Sequence, residues 1–76
     1  MSFVQVVTDV ARDLKLLDPA GKLVVLDSLT IVDMIADLEV KTNVMIPSSD
    51  IRNEVFSSIE SIVKMLERLS AEASPT

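Results

Sequence analysis

Apolar residues recur at helical spacing in three places along the 76-residue chain. In the first, Phe3, Val6, Val7, Val10, Leu14 and Leu17 share a face, which predicts an amphipathic helix over 2–17. Ser2 followed by Gln5 matches a capping box and marks Ser2 as the N-cap. Asp9, Arg12, Asp13 and Lys15 fall mostly off the apolar face. Asp18-Pro19-Ala20-Gly21 predicts a stop and a turn. Proline disfavours helix at the residue before it, and Gly21 is the only glycine. Leu23-Val24-Val25-Leu26 has the composition of a short strand. No second strand-like run exists to pair with it, so a buried loop segment plugging one end of a bundle is expected.

A second helix is expected over 28–41. Val32, Ile35 and Leu38 form its stripe, Ile31 and Met34 widen it, and Asp27 or Ser28 caps it. Thr42-Asn43 ends it, and Val44 to Pro47 reads as an extended apolar connection. A short third helix is expected over 49–55, with Ile51 and Val55 inward. Ser57-x-x-Glu60 reads as a second capping box that opens a fourth helix. That helix carries Ile59, Ile62, Val63, Leu66 and Leu69 on its apolar face and a Glu60–Lys64 pair outside. From Ser70 the composition is that of a frayed tail. The expectation is an all-α fold, a small four-helix bundle of three longer helices and one short one, with a single domain over 1–70 and a tail over 71–76. Its core is expected to hold Val6, Val10, Leu14, Val32, Ile35, Leu38, Ile59, Ile62, Val63 and Leu66, with Phe3 and Phe56 as the only aromatics.

Composition narrows the function. Apolar residues at 49% and charged residues at 25% match an ordinary globular domain and argue against disorder. Mean hydropathy is +0.43, yet the longest charge-free stretches, 1–8 and 42–49, are eight residues each. A membrane-spanning helix needs about 20 apolar residues. No basic region precedes Phe3, so no signal peptide is expected. The chain has no His and no Cys, which removes the usual ligands of zinc, haem and iron–sulfur centres. Without His, Cys or Tyr, acid–base chemistry falls to carboxylates, Lys or Arg. The net charge is −5 and the seven basic residues are spread along the chain, which argues against nucleic-acid binding. So small a chain also has little room for a closed substrate pocket, and it is not expected to be an enzyme.

One short constellation remains. Asp27-Ser28-Leu29 opens the second helix after the apolar loop. Three such letters are common by chance, and a plain reading makes Ser28 a helix cap. The surrounding charge changes the odds. Asp27, Asp33, Asp37 and Glu39 are acidic, and no Lys or Arg occurs from Leu23 to Val40. Asp33 and Asp37 stand at i, i+4 on one helix face, a slightly destabilising arrangement. Such a run is either a solvated face or a docking face for basic partners.

With these residues in place the chain resembles acyl carrier and peptidyl carrier proteins. The resemblance runs from Val25 to about Leu69. It rests on an apolar loop before Asp27-Ser28-Leu29, an acidic amphipathic helix after it, and Ile46-Pro47, whose proline stands 19 residues after Ser28. The segment with Ile51 and Phe56 then leads into the Ile59, Ile62, Val63 helix. Val25 to Ser28 reads Val-Leu-Asp-Ser and Phe56 lies nine residues after Pro47, which is most similar to D-alanyl and aminoacyl carriers. The chain departs from the family in lacking a glycine shortly before the motif and in its short first loop. Thr42 stands where fatty-acid carriers have a large apolar residue, and Val40 and Lys41 stand where they have acids.

The resemblance implies that Ser28 receives 4′-phosphopantetheine from coenzyme A and that the arm holds an acyl or aminoacyl group as a thioester. It implies that Asp27, Leu29 and Val32 are read by partner enzymes, with Asp33, Asp37 and Glu39 on the docking face. The implied partners are a phosphopantetheinyl transferase, a loading ligase or acyltransferase, and downstream enzymes. A monomeric cytoplasmic protein with its cargo outside the core is the matching expectation. The rival is an unmodified acidic helical-bundle adaptor for a basic partner protein.

Overall fold

A computed structural model, which describes residues 2–73, contains three α-helices: Phe3–Asp13 (α1), Ser28–Thr42 (α2) and Ile59–Ala73 (α3). α1 packs on both other helices. One apolar cluster joins them, with Val7, Val10, Met34, Leu38, Ile62 and Leu66 at its fully buried centre. The fold is thus a small, mostly helical bundle with no strand among the described residues.

α1 begins as its sequence predicts. The Ser2 hydroxyl accepts the Gln5 N–H at 3.2 Å. The reciprocal half of the capping box is missing, because the Gln5 amide donates to Asp9 at 2.9 Å instead. The helix stops at Asp13, four residues before the expected Leu17. Leu16 N–H reaches back to the Ala11 carbonyl and Lys15 N–H to that of Arg12, with Lys15 left-handed at φ 60°. This is Schellman-type closure with Lys in the place usually held by glycine. The physical reason lies in Leu14, Leu16 and Leu17, which no single helical face holds together. Unwinding buries Leu16 and lets Leu17 pair with Leu23 in an isolated antiparallel bridge. Asp18–Gly21 forms the expected turn. Gly21 sits at φ +82°, and the Asp18 carboxylate accepts the N–H groups of Ala20 and Lys22.

The loop plug is only half of what its composition predicts. Leu26 is buried and Leu23 packs against the core, but Val24 and Val25 face outward, Val25 at 100% exposure. α2 is closed by Asn43, left-handed at φ 56°. Its buried residues are Ile31, Met34, Ile35 and Leu38, and Val32, expected in the core, is exposed.

The short helix expected over 49–55 does not form. Two 3-10 turns, Ser48–Asp50 and Val55–Ser57, flank a stretch without regular structure. Ile51 leaves the helical region at φ −87°, ψ 82° and is partly exposed, while Asp50 turns inward to meet Arg68. A two-turn helix is marginal alone, and here Asp50 instead turns in to an ion pair with the half-exposed Arg68. α3 is capped one residue later than expected. Ser58, not Ser57, accepts the Ser61 N–H at 3.1 Å, and Ser57 donates to the Glu54 carbonyl. Glu60 and Lys64 form no ion pair among those of the described residues. α3 continues through Ala73, so 71–73 are helical where a tail was expected. Residues 74–76 of that tail lie outside the described residues.

Candidate functional site

The start of α2 assembles the candidate site. Asp27, in extended conformation, is the N-cap, and its carboxylate accepts the Thr30 N–H at 2.8 Å. That bond, then the Thr30 hydroxyl, holds the Asp27 carboxyl below its ordinary value of 3.8. The charged form also meets the positive end of the helix dipole. Because the folded pKa is lowered, the contribution of Asp27 is fully present above about pH 4. It is lost as pH falls through the lowered value. Asp27→Ala is therefore expected to lower the thermal midpoint at pH 7 and to leave a flatter loss of stability on acidification below pH 4. Melting curves across pH 2–7 for both proteins check this, and identical acid limbs would remove the cap's role.

Since Asp27 supplies the cap, Ser28 is the first helical residue and not the cap itself. It is exposed, and its hydroxyl makes no hydrogen bond among those of the described residues. Leu29 at 78% and Val32 at 59% exposure flank it on α2, and Val25 stands free on the loop before it. An unbonded hydroxyl therefore sits at the positive end of a 15-residue helix, ringed by water-facing apolar side chains. Beside this segment, Leu23, Val25, Leu26, Ile31, Asn53, Phe56 and Ser57 line a cleft of about 260 Å³. Leu26, Ile31 and Phe56 in its lining belong to the buried core, and Met34, Leu38, Ile62 and Leu66 deeper in the bundle are fully buried.

The four acids of the docking window divide. Asp27 is committed to the cap. The Glu39 carboxylate accepts the Ile46 N–H at 2.9 Å and so ties the α2 exit to the helix. Asp33, exposed, and Asp37, half-buried, make no hydrogen bond or ion pair among those of the described residues. Lys41, at the far end of α2, pairs with Asp13 of α1 at 3.5 Å. Among the described residues no three acidic side chains converge on a metal-sized site, and no helix is long and apolar enough to cross a membrane.

Two features escaped the sequence reading. Val25 was expected inside, and nothing in four consecutive aliphatic residues shows which of them turn outward. The Asp50–Arg68 pair spans 18 positions and leaves no local pattern. Comparison of the chain with family models, curated proteins and solved structures finds no significant match.

Proposed function

We propose that the chain is a carrier protein, modified at Ser28 with 4′-phosphopantetheine and holding an acyl or aminoacyl cargo for partner enzymes. One observation carries the reading: Asp27 caps α2, which leaves the exposed Ser28 hydroxyl with no structural task. A helix N-terminus favours a phosphodiester there, through its dipole and free N–H groups. When attached, the arm supplies the thiol that this cysteine-free chain lacks. The chain's own residues present the serine. Asp27 fixes the helix start, and Leu29, Val32 and Val25 offer apolar contacts around it. In this reading the three-helix bundle is a carrier fold whose third helix is reduced to 3-10 turns, and the protein is a cytoplasmic monomer without catalytic activity. Its partners are a phosphopantetheinyl transferase, a loading ligase or acyltransferase, and the downstream enzymes. Intact mass after incubation with coenzyme A and a broad-specificity transferase tests it. No gain with several transferases would leave the adaptor reading, which the exposed Asp33, Leu29 and Val32 also support without modification.

Steering is expected to rest on two acids, not four. Asp33→Lys and Asp37→Lys should each slow transferase association roughly threefold to tenfold at low salt, acting on the on-rate. The difference should vanish near 1 M salt, where the screening length is about 3 Å. Stopped-flow association across a salt series checks it, and rates equal to wild type at low salt would make the face a solvated surface only.

A further inference from the structure

Between α2 and α3 the chain crosses residues 43–58 without an α-helix. At one end of this crossing Ile46 is buried and its N–H is held by Glu39. At the other end Phe56 is buried. Of residues 47–54 between them, Asp50 alone is buried, at 8% exposure, and the rest are exposed. The backbone bonds of this stretch are local: Asp50 N–H to Pro47, Ile51 N–H to Ser48, and the N–H groups of Val55 and Phe56 to Arg52. Such bonds shape the segment without attaching it to the bundle. The Asp50 carboxylate does attach it, by accepting from Arg68 of α3. The same guanidinium donates to Glu72 at 2.8 Å.

We infer that residues 47–54 form a strap latched to α3 by the Asp50–Arg68 pair, and that the strap opens as a unit while the three helices stay folded. The two halves of the latch are unequal. Arg68 is about half exposed and keeps Glu72 when Asp50 is neutralised. Asp50 has no second partner of opposite charge among the described residues. Without Arg68 it is a carboxylate shut away from water, and it regains hydration only by leaving with the strap. Asn53 rides on the strap and lines the cleft beside the Ser28 segment, so opening widens that cleft on one side. The device holds whether or not Ser28 is modified, so its failure would leave the carrier reading untouched.

Amide hydrogen exchange under native conditions tests the latch. The amides of Val55 and Phe56, which lie outside the strap and donate to the Arg52 carbonyl within it, are the reporters, with Val10, Leu38 and Leu66 as core references. Arg68→Met is expected to speed exchange of the reporters by at least about tenfold, the scale of a lost hydrogen bond to a charged group. Asp50→Asn should speed it less, Glu72→Gln not at all, and the core references should stay at wild-type rates in all three. Arg68→Lys, expected to be intermediate, replaces Arg68→Met if that variant does not fold. Equal acceleration of reporters and core would overturn the strap and make the pair a global stabiliser. So would unchanged reporters, or Asp50→Asn opening the strap more than Arg68→Met.

Discussion

Incubated with coenzyme A and a phosphopantetheinyl transferase, the chain is expected to gain one phosphopantetheinyl group, and Ser28→Ala is expected to gain none. Loss should be complete, because no other serine among the described residues combines exposure with the first position of an α-helix whose cap is supplied by its neighbour. Ser2 and Ser58 are spent on capping, and Ser57 donates to the Glu54 carbonyl. Ser48 and Ser49 lie in a 3-10 turn too short to offer a helix terminus. The same variant separates the two meanings of Ser28. If the serine were a structural cap, its loss would cost about 1 kcal/mol. With Asp27 in that role, Ser28→Ala should change stability by no more than about 0.5 kcal/mol, as an exposed substitution does. Urea titration and intact mass on one preparation read both numbers. Unmodified wild type, or modification that survives Ser28→Ala, would sink the carrier proposal. The modified protein should melt slightly higher than the unmodified one, by the roughly 0.3–1 kcal/mol that an anion gains at a helix N-terminus.

Phe56→Ala is expected to be the most damaging single change to the fold. Phe56 is 2% exposed and is the largest fully buried side chain. It sits in the 3-10 turn just ahead of α3 and lines the cleft with Leu23, Leu26 and Ile31. One ring therefore joins the first loop, α2 and the crossing segment. Its truncation should cost about 3–5 kcal/mol. A chain of this length has only about 4–11 kcal/mol in total, so this single loss removes roughly a quarter of the stability or more. Phe56→Leu keeps most of the volume and should cost under about 1.5 kcal/mol. Urea midpoints and the loss of helical circular dichroism decide. A cost below about 1 kcal/mol for Phe56→Ala would mean that the crossing segment does not depend on its ring.

Helix existence was readable because each helix carries its own period. The stripes of α1, α2 and α3 predict the buried sets, Val6, Val7 and Val10, then Ile35 and Leu38, then Ile62, Val63 and Leu66. Ends were less readable where the signal was shared. At 14–17 the leucines Leu14, Leu16 and Leu17 satisfy a helix and a turn equally, and only the fit of Leu16 into the core chose the turn. At 57–58 two adjacent serines can each cap, and the backbone selected Ser58. Val32 met the periodic test and still lies outside, because a stripe wider than the available core must leave one edge in water.

The sequence by itself determined the three helices, the turn at Asp18–Gly21, the absence of His and Cys and the candidate serine at the head of α2. These follow from local propensity, spacing and side-chain inventory, all of which act within a few residues. Tertiary structure decided the rest. It turned Val25 outward, took Glu39 out of the acidic face to hold Ile46, and replaced the short helix with a strap pinned by Asp50 to Arg68. Each of these outcomes depends on where a carboxylate or a methyl group finds its partner in space. The partners of Glu39 and Asp50 lie seven and 18 positions away, beyond the reach of any local pattern.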